Sequence, residues 1–401
     1  MDELKDRVKD EIAAHRDRCV AFSHRLHADP ELGYAEFNAS TWLAEELAKV
    51  PGVRVQHGVG ELPTAVRAEV GSGELVVTIC AEYDALPGIG HACGHNLIAA
   101  SALGAFIGAA AVADDLAMTV RLLGTPAEET GGGKIDLLRQ GAFDGTHAAM
   151  MVHPGDLNRA TVDPLACAAY EIEYTGRSSH ASASPWTGIN AQDAMVVAMT
   201  AIGLARQQFE PLQQVHGALH GAGLAANAIT SSATGTWMIR ADSFESLRRV
   251  RDKLRACFEA GALATGATLT MTMDGRPFGS MINDAAMAEL FTQNAATIGR
   301  QMDTSDRPRG GSTDMANVSQ YFPAIHPGLC LGDGSAMPHT VEFAELAGSA
   351  AGDDALIDAA LAMAYTSVDI ASSPQQRERL LSKVAPDTSG AGAELDVKES
   401  T

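Results

Sequence analysis

Three residues able to ligate a metal or act on a substrate sit within five positions of HACGHN (91–96): His91, Cys93 and His95. Cys93 and His95 are one residue apart, so they share a face only if the chain turns, and Gly90 and Gly94 permit a turn. A helical pattern begins immediately afterwards, and the amino end of a helix favours a thiolate. Zinc and similar ions accept thiolate and imidazole ligands readily. On its own, a C-x-H triplet is more often a buried cysteine beside a satisfied histidine. Partners elsewhere in the chain must decide between the two.

Such partners exist. TPAEETGGG (125–133) places Glu128 beside Glu129 after an apolar run. Adjacent carboxylates repel in a plain surface loop, but a cation offsets the repulsion and lets them divide the labour. One binds the ion, and the other takes a proton from water held on it. His153 follows AAMMV and His339 lies in AMPHT. Jointly, Cys93, His95, Glu129, His153 and His339 make a five-ligand set, a number that suits two metal ions sharing a bridging water.

The elements around these residues explain how they could meet. LVVTIC (75–80), MTVRLLG (118–124) and AAMMV (148–152) read as strands, each running into a polar motif. Helical patterns cover 3–27, 36–49, 95–113 and 134–140. Alternating strands and helices imply an α/β fold, here a mixed sheet flanked by helices. Ligands in such folds bind beyond the carboxyl ends of the strands, which is where all three motifs fall. Between about 166 and 278 the order becomes β-α-β-β-α-β, the ferredoxin-like split unit. Its second helix carries a Ser243 cap with Glu245 close behind. The expected domains are therefore a discontinuous catalytic domain, 1–165 and 279–372, and an inserted α+β domain, 166–278. An edge strand of the inserted sheet is suited to pairing across a two-fold axis, giving a homodimer. Residues 373–401 turn polar and are expected to form a weakly ordered tail with a short helix at 375–382.

Composition narrows the function classes. The chain has 401 residues, with 29 basic against 50 acidic side chains and a net charge of −21. That field disfavours nucleic acid and anionic membranes as partners. The six cysteines show no disulfide spacing. The charged amino-terminal stretch resembles neither a secretory signal nor a transit peptide, and no apolar run reaches spanning length. A cytoplasmic, reducing setting is expected, in which Cys93 stays a free thiol.

In order, EYDALPGIGHACGHN (82–96), TPAEETGGGK (125–134), HP (153–154), GRSSHAS (176–182), NAIT (227–230), GSTDMANVS (311–319) and PHT (338–340) resemble a metallopeptidase family. It contains aminoacylases, carboxypeptidase G-like enzymes and indole-acetyl-amino-acid hydrolases. The likeness spans roughly residues 15 to 370 and is nearest the p-aminobenzoyl-glutamate hydrolase and β-alanyl-dipeptidase branch. It implies that Cys93, His95, Glu129, His153 and His339 bind two divalent ions, Zn2+ first and Mn2+ as the alternative. It implies Glu128 as general base and Asp84 as the acid orienting a ligand from behind. His180 matches a histidine that reaches the partner subunit's site. Asn227 and Arg240 match positions that hold the substrate carboxylate or transition state, and Ser312 and Thr313 lie in the substrate loop. Glu82 and Asn96 depart from the commoner residues of the family. The implied activity is hydrolysis of the amide bond of an N-acyl amino acid or small dipeptide. Two other readings stand beside it: a thiol hydrolase using Cys93 and His95, and a non-catalytic metal-dependent binding protein.

Overall fold

A computed structural model describes residues 2–223, 225–305 and 309–395. The chain divides into two compact units. The first holds the described residues of 2–163, 281–305 and 313–391, and the second those of 164–280, 309–312 and 392–395.

The first unit is built on a six-stranded sheet. Its order across the sheet is Arg54–Val59, Leu62–Val70, Met118–Gly124, Leu75–Ala81, Ala148–Met150 and Ala324–Ile325. Leu75–Ala81 runs parallel to both Met118–Gly124 and Ala148–Met150, while the first two strands form an antiparallel hairpin edge. The central strands are apolar along nearly their whole length, as strands covered on both faces must be. The hairpin edge has no clear signal in the sequence, because RVQHGV is largely exposed and carries no apolar alternation.

Helix His95–Ala110 begins within the HACGHN motif and is buried all round, apart from its last residue. It can be so deeply enclosed because it is apolar nearly all round, with glycine where neighbouring helices cross closely. A Cβ at Gly104 would lie 2.9 Å from the Ala360 Cβ, and one at Gly108 would lie 2.7 Å from Ile12. Ala360 belongs to helix Ala350–Ser372, which packs along it. That 23-residue helix is long and apolar enough to cross a membrane, contrary to the expectation that no run would be. Its burial within the first unit accounts for the composition: it is a core element.

The expected helix 3–27 is two helices, Asp2–Ala14 and Arg16–Ala28, broken at His15. Helix Ala285–Thr297, capped by Asp284 accepting from the Met287 amide, is an addition to the elements expected from the sequence. AIHPGLCLG gives two short strands, Ala324–Ile325 and Gly328–Cys330.

The second unit has a four-stranded antiparallel sheet ordered Thr268–Phe278, Ala166–Thr175, Ser232–Ala241, Gln214–Gly221. Helices Ala191–Ala205 and Phe244–Thr265 pack on it around Tyr170, Tyr174, Trp237 and Phe258. Ser243 caps the second helix by accepting from the Ser246 amide, and Gly266 ends it in the left-handed conformation at φ 78°. Two two-residue strands, Ser179–His180 and Ala228–Ile229, pair beside the main sheet.

Within the tail, the described residues 373–395 make the following contacts. Helix Pro374–Leu381 is followed by Thr388, whose buried hydroxyl donates to the Leu138 carbonyl. In the second unit, Leu395 is buried, and Arg248 and Arg251 donate to the carbonyls of Glu394 and Leu395. Residues 396–401 lie outside the described residues.

The close crossing at Gly104 yields a test. Gly104→Val forces a branched side chain against Ala360 and should destabilise the protein by about 2 kcal/mol. Urea unfolding followed by circular dichroism measures this as a lowered midpoint.

Candidate metal centre

The site forms where the chain leaves the strands. Leu75–Ala81 leads into Glu82, Tyr83 and Asp84, all buried. The chain then turns through Gly90 (φ 61°) and Gly94 (φ 75°) before helix His95–Ala110. Gly94 is required twice over. Its backbone lies in the left-handed region, and a Cβ there would sit 2.5 Å from Pro154. This turn lets Cys93 and His95 face the same space although only one residue separates them.

Asp84 then fixes two donors at once. Its Oδ1 lies 3.0 Å from His95 Nδ1, and its Oδ2 accepts from the Glu129 amide at 3.0 Å. His153 Nδ1 is held 2.6 Å from its neighbour's carbonyl at Pro154. Both imidazoles are therefore oriented through Nδ1 and present Nε2, the arrangement by which a metal-facing histidine is commonly held. His153 Nε2 stands 3.4 Å from Cys93 Sγ. His339 adopts φ 69°, donates its amide to the Ala92 carbonyl, and brings Nε2 within 3.3 Å of Glu129 Oε1.

The five residues expected as ligands thus converge. Donor atoms of Cys93, His95 and His153 lie within 4.8 Å of one another, as do those of Cys93, Glu129 and His339, and those of His95, Glu128 and Glu129. Two donors on one tetrahedral ion, each about 2.1 Å from it, stand ~3.4 Å apart, close to the separations found. Buried atoms without a hydrogen-bond partner point the same way: His95 Nε2 and Glu129 Oε1 both lack one. Polar atoms so buried are normally satisfied. Thiolate, imidazole and carboxylate together suit divalent ions such as zinc, so the residues present fit the implied metal.

The electrostatics are those of a cation site. Burial raises the Glu128 carboxyl well above the usual carboxylate range, and Glu82 and Asp314 add to the effect while His95 opposes it. Burial likewise raises the Cys93 thiol, against the pull of His95. Burial works against a charged His95, yet Asp84 and Cys93 outweigh it and raise its pKa well above that of ordinary histidine.

Several residues outside the sequence expectation support the cluster. Lys134, fully buried, donates through Nζ to Glu82 and to Asp314 Oδ1 at 2.7 Å, while its amide donates to Asp314 Oδ2. Burial disfavours a charged Glu82, but Lys134 and the nearby imidazoles hold it down at about 2. Burial lifts Asp314 to about 6 against the pull of Lys134. Glu36 accepts from the Ala127 amide at 2.7 Å and so braces the loop carrying Glu128, where Ala127 itself has φ 56°. His326 is buried, its ring 5.5 Å from that of His153. Asp314 had a signal, since it adjoins Ser312 and Thr313 in GSTD; Glu36 and His326 carry no motif.

The remaining expected residues fall as follows. His91 is not in the cluster; it is a core histidine, its Nε2 3.1 Å from the Leu26 carbonyl and its pKa pushed down to about 3 by burial. Asn96 also faces inward, donating to Ser23 and to the Ala347 carbonyl. Thr313 is buried in the first unit, where its hydroxyl accepts from the Met315 amide. His180, Asn227, Arg240 and Ser312 belong to the second unit. His180 is exposed, its Nδ1 accepting from the Ser182 and Ala183 amides, and the Ala181 amide next to it donates to the Asn227 carbonyl. Arg240 donates to the Gly311 carbonyl, beside Ser312.

Metal-type donors gathered beyond the strands of an α/β sheet, with a spare carboxylate among them, are the equipment of a hydrolase acting on peptide and amide bonds. The chain belongs to peptidase family M20/M25/M40, whose model matches residues 79–361. It is 37% identical over 388 residues to a Xaa-Arg dipeptidase of Mus musculus, covering 92% of this chain and 90% of that one. It is 30% identical to one of the subunits of the p-aminobenzoyl-glutamate hydrolase of Escherichia coli, over 68% of this chain and 61% of that one. Among solved structures, a dinuclear metal-binding M20 peptidase of Bacillus subtilis superposes with a TM-score of 0.69 at 22% identity, covering 90% of this chain and 99% of that one.

Because Asp84 holds both His95 and the Glu129 loop, Asp84→Asn should weaken metal binding by about 10- to 100-fold. Metal content after equilibrium dialysis, measured by plasma mass spectrometry, checks it.

Proposed function

We propose that the protein is a metal-dependent amidohydrolase that cleaves the amide bond of an N-acyl amino acid or small dipeptide, with Glu128 as general base. Cys93, His95, Glu129, His153 and His339 would hold two divalent ions, Zn2+ foremost and Mn2+ as the alternative. Such ions polarise the amide carbonyl and lower the pKa of water toward ~7.

The division of labour between the paired glutamates carries this reading. Glu129 turns a buried, unpartnered oxygen toward His95 and His339, as a ligand would. Glu128 lies between that group and the acids Glu82 and Asp314, within 4.8 Å of each set. It is therefore beside the ions yet surplus to the five ligands. A carboxylate in that place takes the proton of the attacking water and returns it to the leaving amine. Its raised pKa moves it toward the range a proton shuttle needs.

The reading extends to a homodimer in which His180 of a second copy stabilises the oxyanion, a contribution worth about 3 kcal/mol. Asn227 and Arg240 would hold the substrate's carboxylate or transition state, and Ser312 and Thr313 would belong to the substrate loop. All six cysteines are free, which suits a reducing, cytoplasmic setting. The mouse relative's name makes Xaa-Arg dipeptides the first substrates to try, with p-aminobenzoyl-glutamate and N-acyl amino acids after them.

Glu128→Ala should keep its metal and lose turnover by about 10²- to 10⁴-fold; near-normal rates would remove Glu128 from the mechanism. Chelation separates the rival enzyme class. The 3.4 Å approach of Cys93 to His153 is also the geometry of a thiol dyad, but a thiol hydrolase survives EDTA. Loss of activity on EDTA treatment, restored by Zn2+ or Mn2+, is the expected result.

A further inference from the structure

Glu82 has no role in the chemistry described so far, yet it is among the most constrained side chains in the first unit. It is completely buried, one residue beyond strand Leu75–Ala81. One carboxylate oxygen, Oε1, accepts from the Lys134 ammonium, which Asp314 holds from its other side. The second oxygen, Oε2, is buried and has no hydrogen-bond partner. It lies 3.5 Å from His95 Nε2, which is also buried and also without a partner.

Asp84 already engages the other ring nitrogen of His95. Two buried polar atoms therefore face each other with no hydrogen bond made between them. Lys134 and His95 offset the charge of the carboxylate, but a buried oxygen that accepts no hydrogen bond still forgoes the bonds that water would give it. Their separation matches the ~3.4 Å expected of two donors on one tetrahedral ion. Lys134 does not fill the gap, because its ammonium is committed to Oε1 and to Asp314.

We infer that Glu82 is a sixth protein ligand of the metal centre, giving Oε2 to an ion shared with His95 and Oε1 to Lys134. Lys134 and Asp314 then act as positioning residues: they fix the rotation of the Glu82 carboxylate so that one oxygen faces the ion. This rests on the two-metal reading above. It goes beyond it by assigning a ligand outside the five expected from the sequence.

The test measures metal binding rather than turnover. Wild-type protein, Glu82→Gln and the double variant Glu82→Gln with Lys134→Met are stripped with chelator and titrated with Zn2+ by equilibrium dialysis. Parallel samples are loaded with Co2+ and their visible spectra recorded. Wild-type protein should take up two ions. Glu82→Gln should bind one of them at least about tenfold more weakly, with altered Co2+ bands. The double variant, which also removes the ammonium that Glu82 pairs with, should show the same loss, and it decides the matter if the single variant fails to fold. Wild-type affinity and spectrum in Glu82→Gln would overturn the assignment. So would recovery of wild-type affinity in the double variant, since Glu82 would then be only the counter-ion of Lys134. Wild-type protein that takes up no ion would overturn the two-metal reading itself, and is distinguishable from both.

Discussion

Buried negative charge is the constraint around which the first unit is organised. Glu82, Asp84, Glu128, Glu129 and Asp314 meet at one end of the sheet, and Lys134 is the ammonium buried among them. Five carboxylates stand against one ammonium and the His95 imidazole, and the raised pKa of Glu128 is the response of the site to that crowding of negative charge. Isolated ionised groups are too costly to bury unless paired or bound to metal. Divalent cations offset such crowding. The same surplus that would destabilise an empty interior thus becomes the driving force for ion uptake.

Geometry rather than sequence proximity assembles this charge. Each strand of the parallel core delivers its polar motif at its carboxyl end, and each delivery is secured by a backbone device. Gly94 makes the turn between Cys93 and His95, Asp84 ties His95 to the amide of Glu129, and Glu36 holds the Ala127 amide. His339 is brought in from a distant loop by its amide bond to Ala92. The candidate ligands are therefore oriented by groups outside the donor set, which is how a metal site gains rigidity.

Much of this was legible in the sequence because the informative residues sit beside strong strand signals. Leu75–Ala81 and Met118–Gly124 are apolar enough to be recognised as central strands, and the motifs after them then locate the cluster. The exposed hairpin Arg54–Val59 to Leu62–Val70 was invisible because one of its strands buries little. Lys134 and Asp314 were missed for a different reason. Both carry charge in glycine- or polar-rich segments, where a solvated role is the ordinary expectation, and only the tertiary pairing across 180 positions removes them from water. His91, left out of the expected ligand set although it adjoins Cys93, is a core histidine in contact with the Leu26 carbonyl.

The dispersed composition of the first unit bears on its biosynthesis. Cys93, His95, Glu129 and His153 leave the ribosome early, but strand Ala324–Ile325, the loop with His339 and helix Ala350–Ser372 emerge only after the whole of 164–280. Until then the apolar helix His95–Ala110 lacks the neighbour that covers it. The second unit is nearly continuous in sequence and is free to fold first. The nascent first unit instead has an uncovered apolar surface and four of its five candidate ligands, a long-range closure of the kind that slows folding and exposes chains to aggregation.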